Sequence, residues 1–177
     1  IVISTSLKTY ADSVKVPFTF NPGYVDFSPY VAVLQSEAVW KGLANTLFVV
    51  LPIMVIGVFT SALSAYAFAK IDFKAKGTMF AILMFSMMLP GVITMTPAYV
   101  IYDMIGWTDT YNPMMIPNAF GTAACVFYLR QFFAGIPNEL MEAGEMDGLG
   151  KFGIFTRILL PLSKPALTAQ MILWFIA

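Results

Sequence analysis

Hydrophobic and charged positions separate sharply along this chain. Residues 42–69, 77–102 and 112–129 contain no Asp, Glu, Lys, Arg or His. About 20 mainly apolar residues in a helix cross a bilayer. The first two stretches exceed that length, and the third reaches it through Arg130 to Phe133 when the guanidinium snorkels to the interface. A fourth apolar run starts at Pro165 and continues to residue 177. The pattern predicts an all-α, polytopic membrane helix bundle. Pro90-Gly91 and Pro97 fall inside the second stretch, which should be kinked or locally unwound there. Residues 8–40 are polar, and Pro17, Pro22, Gly23 and Pro29 break any long helix. The chain opens on Ile1-Val2-Ile3 and stops within an apolar run, so it reads as a fragment, truncated at both ends, with about four helices crossing or entering the membrane.

The links between these stretches carry an orientation signal. Lys70, Lys74 and Lys76 sit in the first link, and Arg130, Lys151, Arg157 and Lys164 lie in and around the third, whereas residues 103–113 hold two acids and no basic residue. Basic links stay on the cytoplasmic side. Residues 70–76 and 134–164 are therefore expected in the cytoplasm. Residues 1–41, taken as the end of a first transmembrane helix and a loop, are expected to lead outside, with the transmembrane domain proper at 42–177.

Composition agrees with a lipid-embedded protein: 59% of residues are hydrophobic and 11% charged, against about 25% charged in soluble domains. Net charge is zero, so no basic field points to nucleic acid. Histidine is absent and Cys125 is alone, which gives no metal cluster and no disulfide framework, and Cys125 is expected to be a small packing residue. The five methionines from Met79 to Met95 read as adaptable packing rather than a metal relay.

Candidate chemistry is defined mostly by what the spans lack. Ion-coupled carriers keep ionisable groups within the membrane, and the three long stretches have none. A phosphate-binding loop requires Gly-x-x-x-x-Gly-Lys-Ser/Thr. The single Gly-Lys, Gly150-Lys151, has Glu145 and Phe152 at the other key positions. Gly148, Gly150 and Gly153 fit Gly-x-Gly-x-x-Gly, but no strand precedes them, so they suit a helix–turn–helix joint better than a nucleotide cradle. Any active transport by this chain must draw its energy from another polypeptide.

The polar excursion at 134–164 reads as two short helices around a glycine turn. Asn138 is placed to cap the first, Glu139 and Glu142 suit its first turns, and Gly148 stands where a left-handed residue ends it. Leu140, Ala143, Gly144 and Asp147 share a face of mostly small residues that another protein's surface could approach closely. The second helix, about residues 151–160, places Phe155, Ile158, Leu159 and Leu162 on a side suited to packing on the membrane helices. On pattern alone an amphipathic interfacial helix is the alternative.

Glu142-Ala143-Gly144, then Gly148, then Ile158-x-Leu160-Pro161 resembles the EAA signature of binding-protein-dependent ABC importer permeases, with matching spacing at every anchor. One departure is Gly144, where that pattern prefers alanine. The strings Ser64–Ala69, Phe73–Gly77, Met88-Leu89-Pro90, Pro97-Ala98-Tyr99, Gly106–Thr110 and Leu129–Phe133 resemble the carbohydrate branch, of the kind similar to the smaller maltose permease subunit. The resemblance implies a type I importer transmembrane domain with no active site of its own. It would act beside a second permease subunit, an ATPase dimer that binds ATP and Mg, and an extracytoplasmic solute-binding protein. Glu142, Ala143, Gly144, Asp147 and Gly148 would form the coupling loop at the ATPase, and Pro90 and Pro97 would be pathway pivots or breaks. Sugar is the expected cargo. Glycerol phosphate, an amino acid or a peptide is the alternative within the family, and a secondary carrier or membrane scaffold the alternative outside it.

Overall fold

The computed structural model describes residues 1–21 and 23–176; Pro22, one of the expected helix breakers, lies outside the described residues, as does Ala177. Every regular element among the described residues is helical. The chain divides into two compact units, residues 1–47 and 48–177. That division falls within the continuous helix Glu37–Lys70.

The first unit holds short helices at Val2–Ser6, Tyr10–Ser13 and Ser28–Gln35, and it includes the start of the long helix α1 (Glu37–Lys70). Lys8 is buried there, its ammonium 4.3 Å from the centre of the Phe18 ring.

The second unit takes up the rest of α1 and adds α2 (Lys76–Met88), α3 (Gly91–Met104), α4 (Asn112–Ala119), α5 (Ala123–Ala134), α6 (Glu139–Met146), α7 (Lys151–Leu162) and α8 (Lys164–Ile176). Among the described residues α1 alone is a single helix long and apolar enough to cross a membrane. Its 34 residues extend about 51 Å at 1.5 Å each. Three bent pairs meet the same standard together: α2 with α3 at 98°, α4–α5 with α6 at 81°, and α7 with α8 at 78°. The 98° bend falls at Leu89-Pro90, where a kink was expected. Proline there removes an amide donor and restricts the preceding residue, so the helix stops and restarts. Pro97, expected to act likewise, lies inside the continuous helix α3 and makes no break.

The core forms along one stripe of α1. Val58, Ser61, Ala62, Ala65, Tyr66 and Phe68 recur at helical spacing and are all buried. Small members of that stripe let neighbouring backbones come close, which drives helix association in lipid. Cys125, Val126, Leu129 and Phe133 of α5, with Ile154, Phe155 and Leu159 of α7, complete the core. By contrast α2 and α3 bury no residue completely.

The third apolar stretch is not one uninterrupted helix, contrary to the sequence-based expectation. It breaks at Phe120–Thr122. Gly121 has φ +85° and its amide donates to the Asn118 carbonyl (3.0 Å). The next amide, Thr122, turns instead to Ser61 Oγ on α1 (3.3 Å), while Thr60 Oγ1 donates to the Ala119 carbonyl (2.8 Å). Two hydroxyls of α1 thus satisfy backbone groups that the broken helix leaves open, as an apolar environment requires. Approach is close: a Cβ on Gly121 would lie 2.2 Å from Ser61 Oγ, and one on Gly57 would lie 2.6 Å from the Asn118 carbonyl oxygen and 2.4 Å from the Trp174 ring.

Candidate functional site

The loop between α5 and α8 is built on the end of α1. Lys70, the last residue of α1, donates through Nζ to the Ile136 carbonyl (2.5 Å) and to Asn138 Oδ1 (2.7 Å). Asn138 occupies the N-cap position of α6, but its side chain is engaged by Lys70 and does not cap the helix, as the sequence had suggested it would. Nearby, the Arg130 guanidinium lies 4.1 Å from the centre of the Phe80 ring and its Nε donates to the Phe68 carbonyl (3.4 Å). These contacts hold α1, α2 and α5 together beneath the loop.

Helix α6 ends in a glycine turn with two defining hydrogen bonds. Gly148 adopts φ +80°; its amide donates to the Glu145 carbonyl (3.0 Å), and the Leu149 amide donates to the Gly144 carbonyl (2.9 Å). This is the Schellman arrangement, in which a left-handed residue lets two amides close over the last helical carbonyls. A Cβ added to Gly148 would meet nothing within 4 Å. Glycine is suited here by backbone conformation rather than by crowding.

Gly144 is different. It is buried, and a Cβ there would stand 2.7 Å from Ile158 Cδ1 and 3.3 Å from Ile154 Cγ1. The expected small-residue face is therefore divided. Gly144 and Met141 turn inward onto α7, while Glu142, Ala143 and Asp147 remain exposed. The close approach that Gly144 permits is to the chain's own second helix. Exposed beside Ala143 is Met146, 88% accessible, a large apolar side chain that the sequence reading had passed over.

Charge on α6 and its turn is one-sided. Glu145 pairs with Lys151 across the glycine turn, and this hydrogen bond holds the Lys151 ammonium above its ordinary pKa. Glu142 and Asp147 have no ion-pair partner among the described residues. The exposed surface of α6 and its turn is thus acidic, with an apolar methionine at its end.

The second helix of the loop, α7, meets the membrane helices largely through the residues anticipated. Phe155 and Leu159 are fully buried, and Ile158 packs at the core's edge. Phe155 stacks on Tyr66 of α1 with ring centres 5.5 Å apart and planes inclined at 23°. Tyr66 Oη donates to the Lys151 carbonyl (3.1 Å). Leu162, expected on the same side, is instead half exposed, because residues 155–159 form a π-helical turn that shifts the register. Ile154, not anticipated, takes a core position.

Pro90 lies at the elbow between α2 and α3, and Pro97 one or two turns into α3; neither belongs to the loop. Sequence reasoning missed Lys70, Tyr66 and the Thr60–Ser61 pair. The available signal was small or polar residues recurring on the buried stripe of α1.

Residues 43–177 match the family model described as the binding-protein-dependent transport system inner membrane component. The arabinooligosaccharides transport system permease protein AraQ of Bacillus subtilis is 31% identical, over 95% of this chain and 60% of the relative. The alpha-glucoside transport system permease protein AglG of Rhizobium meliloti is 31% identical, over 83% of this chain and 40% of the relative. A crystal structure of a bacterial ABC transporter involved in import of the acidic polysaccharide alginate contains a chain that is 27% identical, with a TM-score of 0.86, over 99% of this chain and 61% of that one. The chain spans less than two thirds of the length of each of these relatives.

Proposed function

Because the chain belongs to the binding-protein-dependent transport system inner membrane components, we propose that it is the permease part of an ATP-driven importer for sugars, and that α6 with its glycine turn is the element through which a partner ATPase moves it. The observation that carries this reading is the construction of the loop. Helix α6 presents Glu142, Ala143, Met146 and Asp147 outward, while Gly144 locks it to α7 and the Phe155–Tyr66 stack locks α7 to α1. Force applied to the exposed face passes into a membrane helix without crossing a flexible link.

The partner should offer an apolar hollow for Met146 rimmed by basic groups for Glu142 and Asp147, since complementary charge sets register and suppresses wrong pairings. ATP and Mg belong to that partner. A second permease subunit and an extracytoplasmic solute-binding protein complete the assembly. Sugar as cargo is supported by AraQ and AglG and by the absence of ionisable residues in the apolar stretches. Neither of the alternative readings, a different solute within the family or a secondary carrier, draws support from a specific feature of the structure.

Two measurements on the full-length protein test this. Native Cys125 is buried, so an Asp147→Cys variant, made in a full-length background whose other cysteines are replaced, gives a defined thiol for impermeant labelling, expected only in inside-out vesicles. Glu142→Lys combined with Met146→Glu should abolish co-purification of the ATPase and sugar-stimulated ATP hydrolysis. Labelling of Asp147→Cys from outside, or uptake that continues without ATP and collapses with the ion gradient, would refute the proposal.

A further inference from the structure

The link between α3 and α4 builds a hollow that the coupling loop does not use. It has a volume of about 400 Å³ and is lined by Tyr99, Tyr102, Asp103, Trp107, Thr108 and Asp109 among others. Pockets for small ligands run from about 300 to 1,000 Å³ and combine aromatic walls with a few placed polar groups. Its floor is a helix terminus of the same design as that of α6. Gly106 adopts φ +70°, its amide donates to the Asp103 carbonyl (3.0 Å), and the Trp107 amide donates to the Tyr102 carbonyl (2.7 Å). The apolar contact that accompanies this motif is here the stacking of Trp107 on Tyr102, with centres 5.9 Å apart and planes 19° from parallel.

The turn thus fixes an aromatic wall and brings two carboxylates to the same hollow. Thr108 Oγ1 donates to Asp103 Oδ1 at 3.4 Å. Asp109 takes φ +60°, a left-handed turn conformation that aspartate adopts more readily than most side chains. Aromatic side chains gather at membrane boundaries for amphipathic reasons alone. That preference explains tyrosines at a helix end, but not two carboxylates sharing a concave surface with them.

We propose that this hollow binds neutral, hydroxyl-rich solute. A sugar ring offers a face of C–H groups to an aromatic wall and a rim of hydroxyl donors to carboxylates, which accept only. Residues 103–113 contain no Lys or Arg, so nothing in the link compensates a negative ligand. The hollow should therefore discriminate against uronate sugars, whose carboxylates would face Asp103 and Asp109. The proposal rests on the importer reading for its relevance to transport, but binding itself requires neither ATP nor the coupling loop.

The experiment uses the full-length permease in its assembled complex, in lipid nanodiscs, without ATP and without the solute-binding protein. Arabinotriose and maltotriose serve as neutral probes, trigalacturonate as the acidic one, and binding is followed by tryptophan fluorescence corrected with a Trp107→Phe variant. Neutral trisaccharides should bind saturably and trigalacturonate at least tenfold more weakly. In Asp103→Asn/Asp109→Asn, affinity for neutral probes should fall about tenfold, the scale of one hydrogen bond to a charged acceptor, and the bias against trigalacturonate should shrink. Absence of saturable binding overturns the proposal, as does an unchanged profile in the double variant. So does capture of the solute-binding protein, with no sugar present, by a photo-cross-linker on Asp109→Cys, which would make the hollow a protein-docking surface. Binding that survives in a complex incapable of ATP-driven uptake sustains this inference while sinking the coupling reading. Intact uptake with no binding here does the reverse.

Discussion

Replacing Gly144 by alanine adds one methyl group at the joint between α6 and α7, and the structure sets the two effects that compete there. Alanine favours a helix interior over glycine by about 1 kcal/mol. Against this, the new Cβ would lie 2.7 Å from Ile158 Cδ1 and 3.3 Å from Ile154 Cγ1. The nearer atom is the far end of a flexible side chain, and moving it off its preferred rotamer costs about 0.5–1.5 kcal/mol. The net change should therefore be within about 1 kcal/mol of zero. Gly144→Val adds branching to the same contact and should destabilise by about 1–3 kcal/mol, the range for overpacking. The decisive assay is a double-mutant cycle with Ile158→Val, which deletes the obstructing Cδ1. Alone, Ile158→Val should cost about 0.5–1.5 kcal/mol; in the Gly144→Ala background most of that cost should vanish. Thermal unfolding of the purified permease reads stability, and ATP hydrolysis by the reconstituted complex reads coupling. Additive single changes, or a Gly144→Val protein as stable as the parent, would show that α6 and α7 do not pack through this contact.

Three further outcomes follow from the same geometry. Gly148 has φ +80° and open space around it, so Gly148→Ala and Gly148→Trp should destabilise by nearly the same amount, about 1–2 kcal/mol, with Gly148→Asn milder; thermal unfolding of the three variants checks this. Ser61→Ala leaves the Thr122 amide without its acceptor and should cost about 1–3 kcal/mol. Gly121→Ala should be worse, and adding Ser61→Ala should rescue it only in part, because backbone atoms 3.1 Å away remain. For Lys151, the bond to Glu145 raises the folded-state pKa. Its stabilisation is therefore complete below the ordinary lysine value of 10.5 and is lost only as pH rises through the raised one. Protease resistance of the loop should be flat from about pH 7 to 9, and Glu145→Gln should lower it throughout that window.

Much of the architecture was legible because lipid imposes a simple rule: long uncharged runs must become helices. The elbow at Pro90 and the left-handed Gly148 were readable for local reasons, since proline lacks an amide and glycine tolerates positive φ. What stayed hidden depended on partners distant in sequence. The break at Phe120–Thr122 exists because Thr60 and Ser61 satisfy the backbone it opens, and nothing within residues 112–133 announces those acceptors and donors. The glycine–threonine pair at 121–122 was the weak local trace, with Thr122 accepting from the Cys125 amide (3.3 Å) at the start of α5. Gly144 was placed on the outward face because periodicity alone cannot tell which of two small-residue faces is buried. Asn138 carries the ordinary signature of a cap, yet Lys70, 68 positions earlier, engages its side chain instead.

Helix α1 touches two mechanical stations within nine residues. Ser61 clasps the interrupted stretch between α4 and α5, while Tyr66 and Lys70 grip the loop. At 1.5 Å per residue these stations lie about 14 Å apart along one unbroken rod. A rod this short and well packed transmits displacement with little loss. On the proposed importer reading, bending falls to the elbows outside this rod, among them the corner at Leu89-Pro90, whose two helices bury no residue; stiffening that corner by new contacts should then slow transport without altering the grip at either end.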